Sequence, residues 1–166
     1  KRCMGFEANI FVFDPFIETK VIEEHGCNPI SKIEGIKLAD YISIHLPLNA
    51  ETKNFISKKE FEIMKESVIL VNSARGGIVS EDDLYDALAK NKIRGAGLDV
   101  FEQEPPDENH KLFKLPNILL SPHNAALTLE CRKRMAVEGA ENIIKYLKKK
   151  NDLNLNNIVN AKEIVI

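Results

Sequence analysis

Three segments place side chains capable of acid–base and anion chemistry directly after short apolar runs. Asn72-Ser-Ala-Arg75-Gly-Gly77 follows Val68 to Val71, and Leu120-Ser-Pro-His123-Asn-Ala-Ala closes Ile118 to Leu120. Between them, Gly95-Ala-Gly-Leu-Asp99-Val-Phe-Glu-Gln-Glu104-Pro runs from an apolar stretch into acids. A guanidinium presents a planar fork of donors that matches a carboxylate and can polarise a neighbouring carbonyl. An imidazole titrates near neutral pH and can exchange a proton with a reacting hydroxyl. A carboxylate beside that imidazole fixes its tautomer and stabilises its protonated form.

Taken singly, these residues have ordinary explanations. A lone arginine is usually a solvated surface group, a glutamate before proline a loop charge, and Ser-Pro-His a turn. They carry chemistry only if the fold brings them together, so the elements that position them decide the matter. Nearly continuous apolar runs predict buried parallel strands at Ile10 to Phe13, Tyr41 to His45, Val68 to Val71, Gly95 to Asp99 and Ile118 to Leu120, with a weaker strand near Cys27 to Ile30. Amphipathic stretches alternate with them, which defines an α/β class with helices on both faces of the sheet. Open sheets of this kind bind ligands at the carboxyl ends of their strands, where Arg75, Glu104 and His123 fall. Gly76 and Gly77 would allow a tight loop, and Gly95 and Gly97 close packing of strand against helix.

Helix starts are marked by Ser31 with Glu34, Ser57 with Glu60 and Ser80 with Asp83, each resembling a capping box. The helix after Ser80 should run to about Lys90. A long final helix is expected from about Leu127 to Lys149, with an apolar stripe through Met135, Val137, Ala140, Ile143, Ile144 and Leu147. Lysines at 148, 149 and 150 would favour its dipole. Asn151 to Asn157 reads as a linker before a short apolar end, Glu163 to Ile166.

Composition narrows the partners. With 166 residues and 44% hydrophobic content the chain can bury one sizeable core. Its 23 basic and 25 acidic residues leave a net charge of -2, which gives no electrostatic footprint for nucleic acid or an anionic membrane. Cys3, Cys27 and Cys131 are widely spaced and form no Cys-x-x-Cys pair, so neither a disulfide framework nor a metal site is indicated. No apolar run approaches the roughly 18 residues of a membrane span. A reducing, cytoplasmic setting fits best.

The start of the chain adds a constraint. Lys1 to Phe6 reads as the tail of a helix closed by Gly5, followed by the first predicted strand and Asp14. In a dinucleotide fold, the acid that holds the adenosine ribose ends the second strand about 20 residues after a Gly-x-Gly-x-x-Gly turn. If Asp14 is that acid, the first strand, the glycine turn and most of the first helix are expected upstream. Asp14-Pro15 could otherwise be a simple turn.

With His45-Leu-Pro-Leu48, these motifs and their spacing resemble the NAD-dependent D-2-hydroxyacid dehydrogenases, a family that includes D-3-phosphoglycerate, glycerate and D-lactate dehydrogenases. The resemblance spans roughly residues 1 to 148. It implies a Rossmann-type doubly wound parallel sheet lacking its first strand and glycine-rich turn, with residues 1–150 as a partial dinucleotide-binding domain and 151–166 returning toward a substrate domain. It further implies His123 as acid/base, Glu104 as its partner and Arg75 as the substrate anchor. For NAD it points to Asp14 on the adenosine ribose, to Pro47, Ser73 and Ala74 along the dinucleotide, and to Asp99 near the nicotinamide amide. Arg75 and His123 border the same cofactor. The implied reaction is hydride transfer between NAD and a small 2-hydroxy or 2-oxo acid, in a homodimer. Corepressors sharing this fold suggest a dinucleotide-dependent protein-binding module as the alternative, and an inactive assembly fragment is a third reading. Asn124-Ala-Ala departs from the glycine-containing sequence common after this histidine, and Glu104 argues against formate as substrate. His25 and His110 receive no role, and His45 is as well explained by packing beside Pro47. An acid at Asp14 would repel a 2'-phosphate, so kcat/KM with NAD should exceed that with NADP in the complete enzyme, and steady-state kinetics with both cofactors checks this.

Overall fold

A computed structural model describes residues 2–148. The strands are β1 (Phe11–Val12), β2 (Asn28–Pro29), β3 (Tyr41–Ile44), β4 (Ile69–Asn72), β5 (Gly95–Leu98) and β6 (Ile118–Leu120). The helices are α1 (Thr19–Glu24), α2 (Lys32–Leu38), α3 (Lys58–Ile63), α4 (Glu81–Ala89) and α5 (Leu129–Leu147). Every predicted strand is present within a residue or two of its expected bounds. All ladders are parallel, and they fall into a two-stranded sheet, β1-β2, and a four-stranded sheet in the order β3-β4-β5-β6. Among the described residues no ladder joins β1 to β3, the neighbours between which a doubly wound sheet sets its first strand.

The core lies against one face of the four-stranded sheet, where Ile44, Leu70, Ala96 and Leu98 are buried, while Tyr41, Val71 and Leu119 on the opposite face are exposed, so helices cover one face among the described residues and not both as expected. Val68, Leu70, Ile78, Leu84, Ile93 and Leu112 are completely buried, and with Ile44, Phe61, Leu88 and Leu98 they form one core. Register gives this core its functional value. Ile44 pairs with Asn72, Asn72 with Leu98 and Leu98 with Leu120, so the last residues of four strands form one row. The loops that carry Arg75, Glu104 and His123 leave the sheet from that row. A one-residue slip would exchange the two faces of a strand and expose its core side chains, so burial fixes the row.

Helix starts follow their capping residues, with one refinement. The full reciprocal box occurs only at Ser57, whose backbone N–H and hydroxyl both reach the Glu60 carboxylate. Ser31 and Ser80 accept from the backbone N–H groups of Glu34 and Asp83, which is the serine half of the motif. The Glu60 carboxyl is pushed up by burial, but the Lys32 ammonium at 2.9 Å and the Ser57 bonds outweigh this and hold it below the usual range. Lys32 also donates to the Phe55 carbonyl and lies over the Phe55 ring, tying α2 to the start of α3.

Two expectations are corrected. Residues Cys3–Phe6 form a 3-10 turn that contains Gly5, and the left-handed residue that ends it is Glu7 (φ 56°). The glycine is therefore not needed as a stop. The long helix starts later than expected because Thr128 caps it, accepting from the Cys131 N–H, whereas Leu127 has no group to do so. Its apolar residues Met135, Val137, Ile143, Ile144 and Leu147 are exposed, and α5 buries none of its residues. Among the described residues, those from Asn124 onward belong to a different unit from those up to His123, and the predicted linker and terminal segment at 151–166 lie outside the described residues. No described helix is long and apolar enough to cross a membrane.

Leu70 sits on a central strand with no exposed surface. Leu70→Ala should lower the unfolding free energy by about 2–5 kcal/mol, read from the shift in a urea transition at unchanged slope.

Candidate active site

Arg75 owes its position to Asn72, the buried last residue of β4. The Asn72 side-chain oxygen accepts from the Ala74 N–H at 3.0 Å, and its amide donates to the Arg75 carbonyl at 2.9 Å. One side chain thus closes the Ser73–Arg75 turn on both polar sides, an Asx-type use of asparagine. Gly77 then takes φ 78°, a left-handed conformation that disfavours a side chain. Gly76 faces the next loop so closely that a Cβ there would lie 1.8 Å from the Phe101 carbonyl oxygen. Close approach, more than turn geometry, is what Gly76 contributes. Gly95 has a similar but milder constraint, with a Cβ 3.1 Å from the Asn117 carbonyl oxygen.

Past β5, Glu104 folds back so that one carboxylate oxygen accepts from the Phe101 N–H at 3.0 Å. The other lies 2.7 Å from Nδ1 of His123. His123 adopts φ 51°, an uncommon conformation for a non-glycine residue and one found where surrounding contacts over-determine the backbone. The Glu104 carboxyl is held below the usual carboxylate range, first by the His123 hydrogen bond, then by the Phe101 amide, with the charges of His123 and Arg75 adding to the effect. That depressed carboxyl is ionised at neutral pH, and its pairing is lost only as pH falls through the lowered value. The structure therefore brings Glu104 and His123 into direct contact, while the Arg75 guanidinium donates to the Ala74 carbonyl at 2.6 Å and reaches Glu104 only through its charge. Glu104 and His123 also border an apolar recess of about 360 Å³ with Phe101, Pro105, Phe113 and Pro122.

The remaining predicted residues are distributed as follows. Asp14 is half-buried just past β1, with one carboxylate oxygen accepting from the Phe16 N–H at 2.9 Å. Pro47 and Ser73 are exposed after β3 and β4, and Ala74 is half-buried. Asp99, first residue past β5, is buried and accepts from the Ser121 hydroxyl at 2.5 Å. His45 bonds to Ser43. Acidic, hydroxyl and small apolar groups at strand ends suit a ligand rich in hydroxyls and flat rings, as a dinucleotide is. Sequence reasoning missed the structural parts played by Asn72, Ser121 and His110. An asparagine directly after an apolar run, two residues before a small one, was the available signal for Asn72. His110 gave none.

Parallel α/β sheets whose strands end in loops carrying an arginine, a glutamate–histidine pair and an acid have the form of a dinucleotide-binding domain. The chain belongs to the D-isomer specific 2-hydroxyacid dehydrogenase family, whose NAD binding domain model matches residues 1–125, and NAD is the cofactor of that domain. It is 40% identical over 166 residues to D-3-phosphoglycerate dehydrogenase of Methanocaldococcus jannaschii, covering 98% of this chain and 32% of that protein. It is 40% identical over 148 residues to glyoxylate reductase of Thermococcus litoralis, covering 89% of this chain and 44% of the relative. Among solved structures, the NAD+-bound D-lactate dehydrogenase of Lactobacillus jensenii superposes with a TM-score of 0.81 at 29% identity, over 89% of this chain and 48% of that one. The chain thus spans between a third and a half of the length of these proteins.

Because a side chain at position 76 would meet backbone, Gly76→Ala should cost about 1–3 kcal/mol of stability through overpacking. Equilibrium denaturation measures this, and parent-like stability would show that the two loops can separate.

Proposed function

We propose that this chain is the cofactor-binding part of an enzyme that transfers a hydride between NAD and a small D-2-hydroxy or 2-oxo acid of the phosphoglycerate, glycerate or lactate type. The observation that carries this reading is the 2.7 Å His123–Glu104 pair, whose carboxylate is also favoured by the charge of Arg75. Glu104 engages Nδ1, which leaves Nε2 of His123 to meet the substrate. There the imidazole takes the hydroxyl proton during oxidation and returns it during reduction. Glu104 stays ionised and orients the ring. Arg75 grips the substrate carboxylate through its fork of donors and polarises the reacting carbonyl.

When bound, NAD supplies the hydride carrier. Asp14 would hold the adenosine ribose hydroxyls, Pro47, Ser73 and Ala74 would line the dinucleotide, and Asp99, tethered by Ser121, would lie near the nicotinamide amide. Residues 1–150 serve as this cofactor domain, with 151–166 leading toward the part that completes the substrate cleft. The same reading includes a homodimer and a cytoplasmic location, the latter supported by Cys3, Cys27 and Cys131 all being free thiols.

The test is a panel of 2-oxo acids with NADH, using protein expressed from its complete reading frame. His123→Gln should lower kcat by roughly 100- to 10,000-fold. Arg75→Lys should sharply reduce kcat/KM because bidentate recognition is lost. Parent-like kinetics in either variant would remove that residue from its role.

A further inference from the structure

Behind the Glu104–His123 pair lies a second glutamate–histidine pair that plays no part in the reaction as described. Glu81 opens α4, is buried, and lies with one carboxylate oxygen 3.0 Å from Nε2 of His110. Its other oxygen accepts from the Glu102 N–H at 2.6 Å, while Glu102 accepts in return from the Glu81 N–H at 2.9 Å. This reciprocal clasp fastens the first turn of α4 to the loop after β5. Glu102 is the residue next to Phe101, whose own N–H is held by Glu104. Two successive amides of one loop are therefore gripped by two different acids, one by the carboxylate facing His123 and one by Glu81.

His110 is built to complete this grip. Its Nδ1 accepts from the Leu112 N–H, which leaves the ring proton on Nε2, directed at Glu81. The ring packs edge-on against Phe101, with centroids 5.8 Å apart, and in a tilted arrangement against Phe113 at 5.6 Å. Burial pushes the Glu81 carboxyl up and the charge of Glu102 adds to this, while the Glu102 amide and His110 act against it. A buried carboxylate needs such donors to remain where it is. Neighbouring charge on α4 is engaged elsewhere, since Asp82 pairs with Lys111.

We propose that Glu81 and His110 are positioning residues, a buried pair that sets the Phe101–Glu104 loop so that Glu104 meets Nδ1 of His123. The inference rests on the catalytic reading given above, and it concerns residues that act only through Glu104. Bulk packing would have been served by an apolar residue at position 81. A buried acid that commits both oxygens to the loop and its histidine is a device for placing backbone.

The experiment uses protein from the complete reading frame carrying Glu81→Ala, Glu81→Gln or His110→Phe. Two readouts are taken: steady-state kinetics with NADH and a 2-oxo acid, and the downfield NMR resonance of the His123 Nδ1 proton in 15N-histidine-labelled protein. A misplacement near 1 Å costs on the order of 100-fold in rate, so Glu81→Ala should lower kcat by roughly 10- to 100-fold, while the KM for NADH changes little. The His123 resonance should broaden or vanish in the same variant. His110→Phe, which keeps the stacking but removes the donor to Glu81 and the acceptor for the Leu112 N–H, should show a smaller loss of both signals. Glu81→Gln, which keeps an acceptor for the Glu102 amide, should recover most of what alanine loses. Folded Glu81→Ala protein with parent kcat and an unchanged His123 resonance would overturn the proposal. Should the alanine variant not fold, parent kcat and an unchanged resonance in His110→Phe would overturn it instead. If the parent reduces no 2-oxo acid, the catalytic reading fails and the NMR resonance alone decides the positioning role.

Discussion

The placement of two backbone units, Phe101 and Glu102, governs the whole site. Gly76 lies against the Phe101 carbonyl with no room for a Cβ, so the arginine loop takes its position from that carbonyl. Glu104 is anchored on the Phe101 amide, and Glu81 on the Glu102 amide. Loops usually owe their variability to backbone groups that water can satisfy equally well. Here the amides are committed to carboxylates, and the carbonyl is covered by a glycine. An otherwise ordinary stretch of loop becomes a rigid mount for catalytic-type side chains.

That mount is useful only because the sheet delivers its loops to a common place. Parallel pairing through Ile44, Asn72, Leu98 and Leu120 sets four strand ends in a row. Completely buried Leu70 and Val68 make any other register costly. Stability and function share the same constraint: the core that drives folding also fixes where the loops begin. Asp99 and Ser121, the first residues past β5 and β6, bond to each other and extend the row by one further cross-link.

Electrostatics completes the arrangement. Glu104 is only partly covered, yet its carboxyl is held low because a histidine, a backbone amide and a nearby guanidinium all favour its charged form. His123 accepts an uncommon backbone conformation to reach it. Glu81 shows the opposite balance, its carboxyl pushed up by burial and by Glu102 despite the donors around it. Two acids bound to successive amides of one loop thus have opposite environments, one open toward solvent and charged partners, the other enclosed.

By itself the sequence determined the strands, the α/β class and the helix starts at Ser31, Ser57 and Ser80, and it singled out Arg75, Glu104 and His123 as the candidate set. These rest on local physics: apolar runs sized for buried strands, hydroxyls that cap helices, and residue types suited to one chemistry at strand ends. Tertiary structure decided what depends on contacts distant in the chain. Gly76 looked like turn chemistry and proved to be a matter of close approach, because the carbonyl it meets belongs to Phe101, beyond the whole of α4 and β5. His110 looked like part of a polar connection, since nothing near it reveals that Glu81, 29 residues earlier, is its partner. The exposed stripe of α5 and the absence of a ladder between β1 and β3 among the described residues were equally out of reach. Periodicity states which face of an element is apolar, but only the assembled fold states what, if anything, covers it.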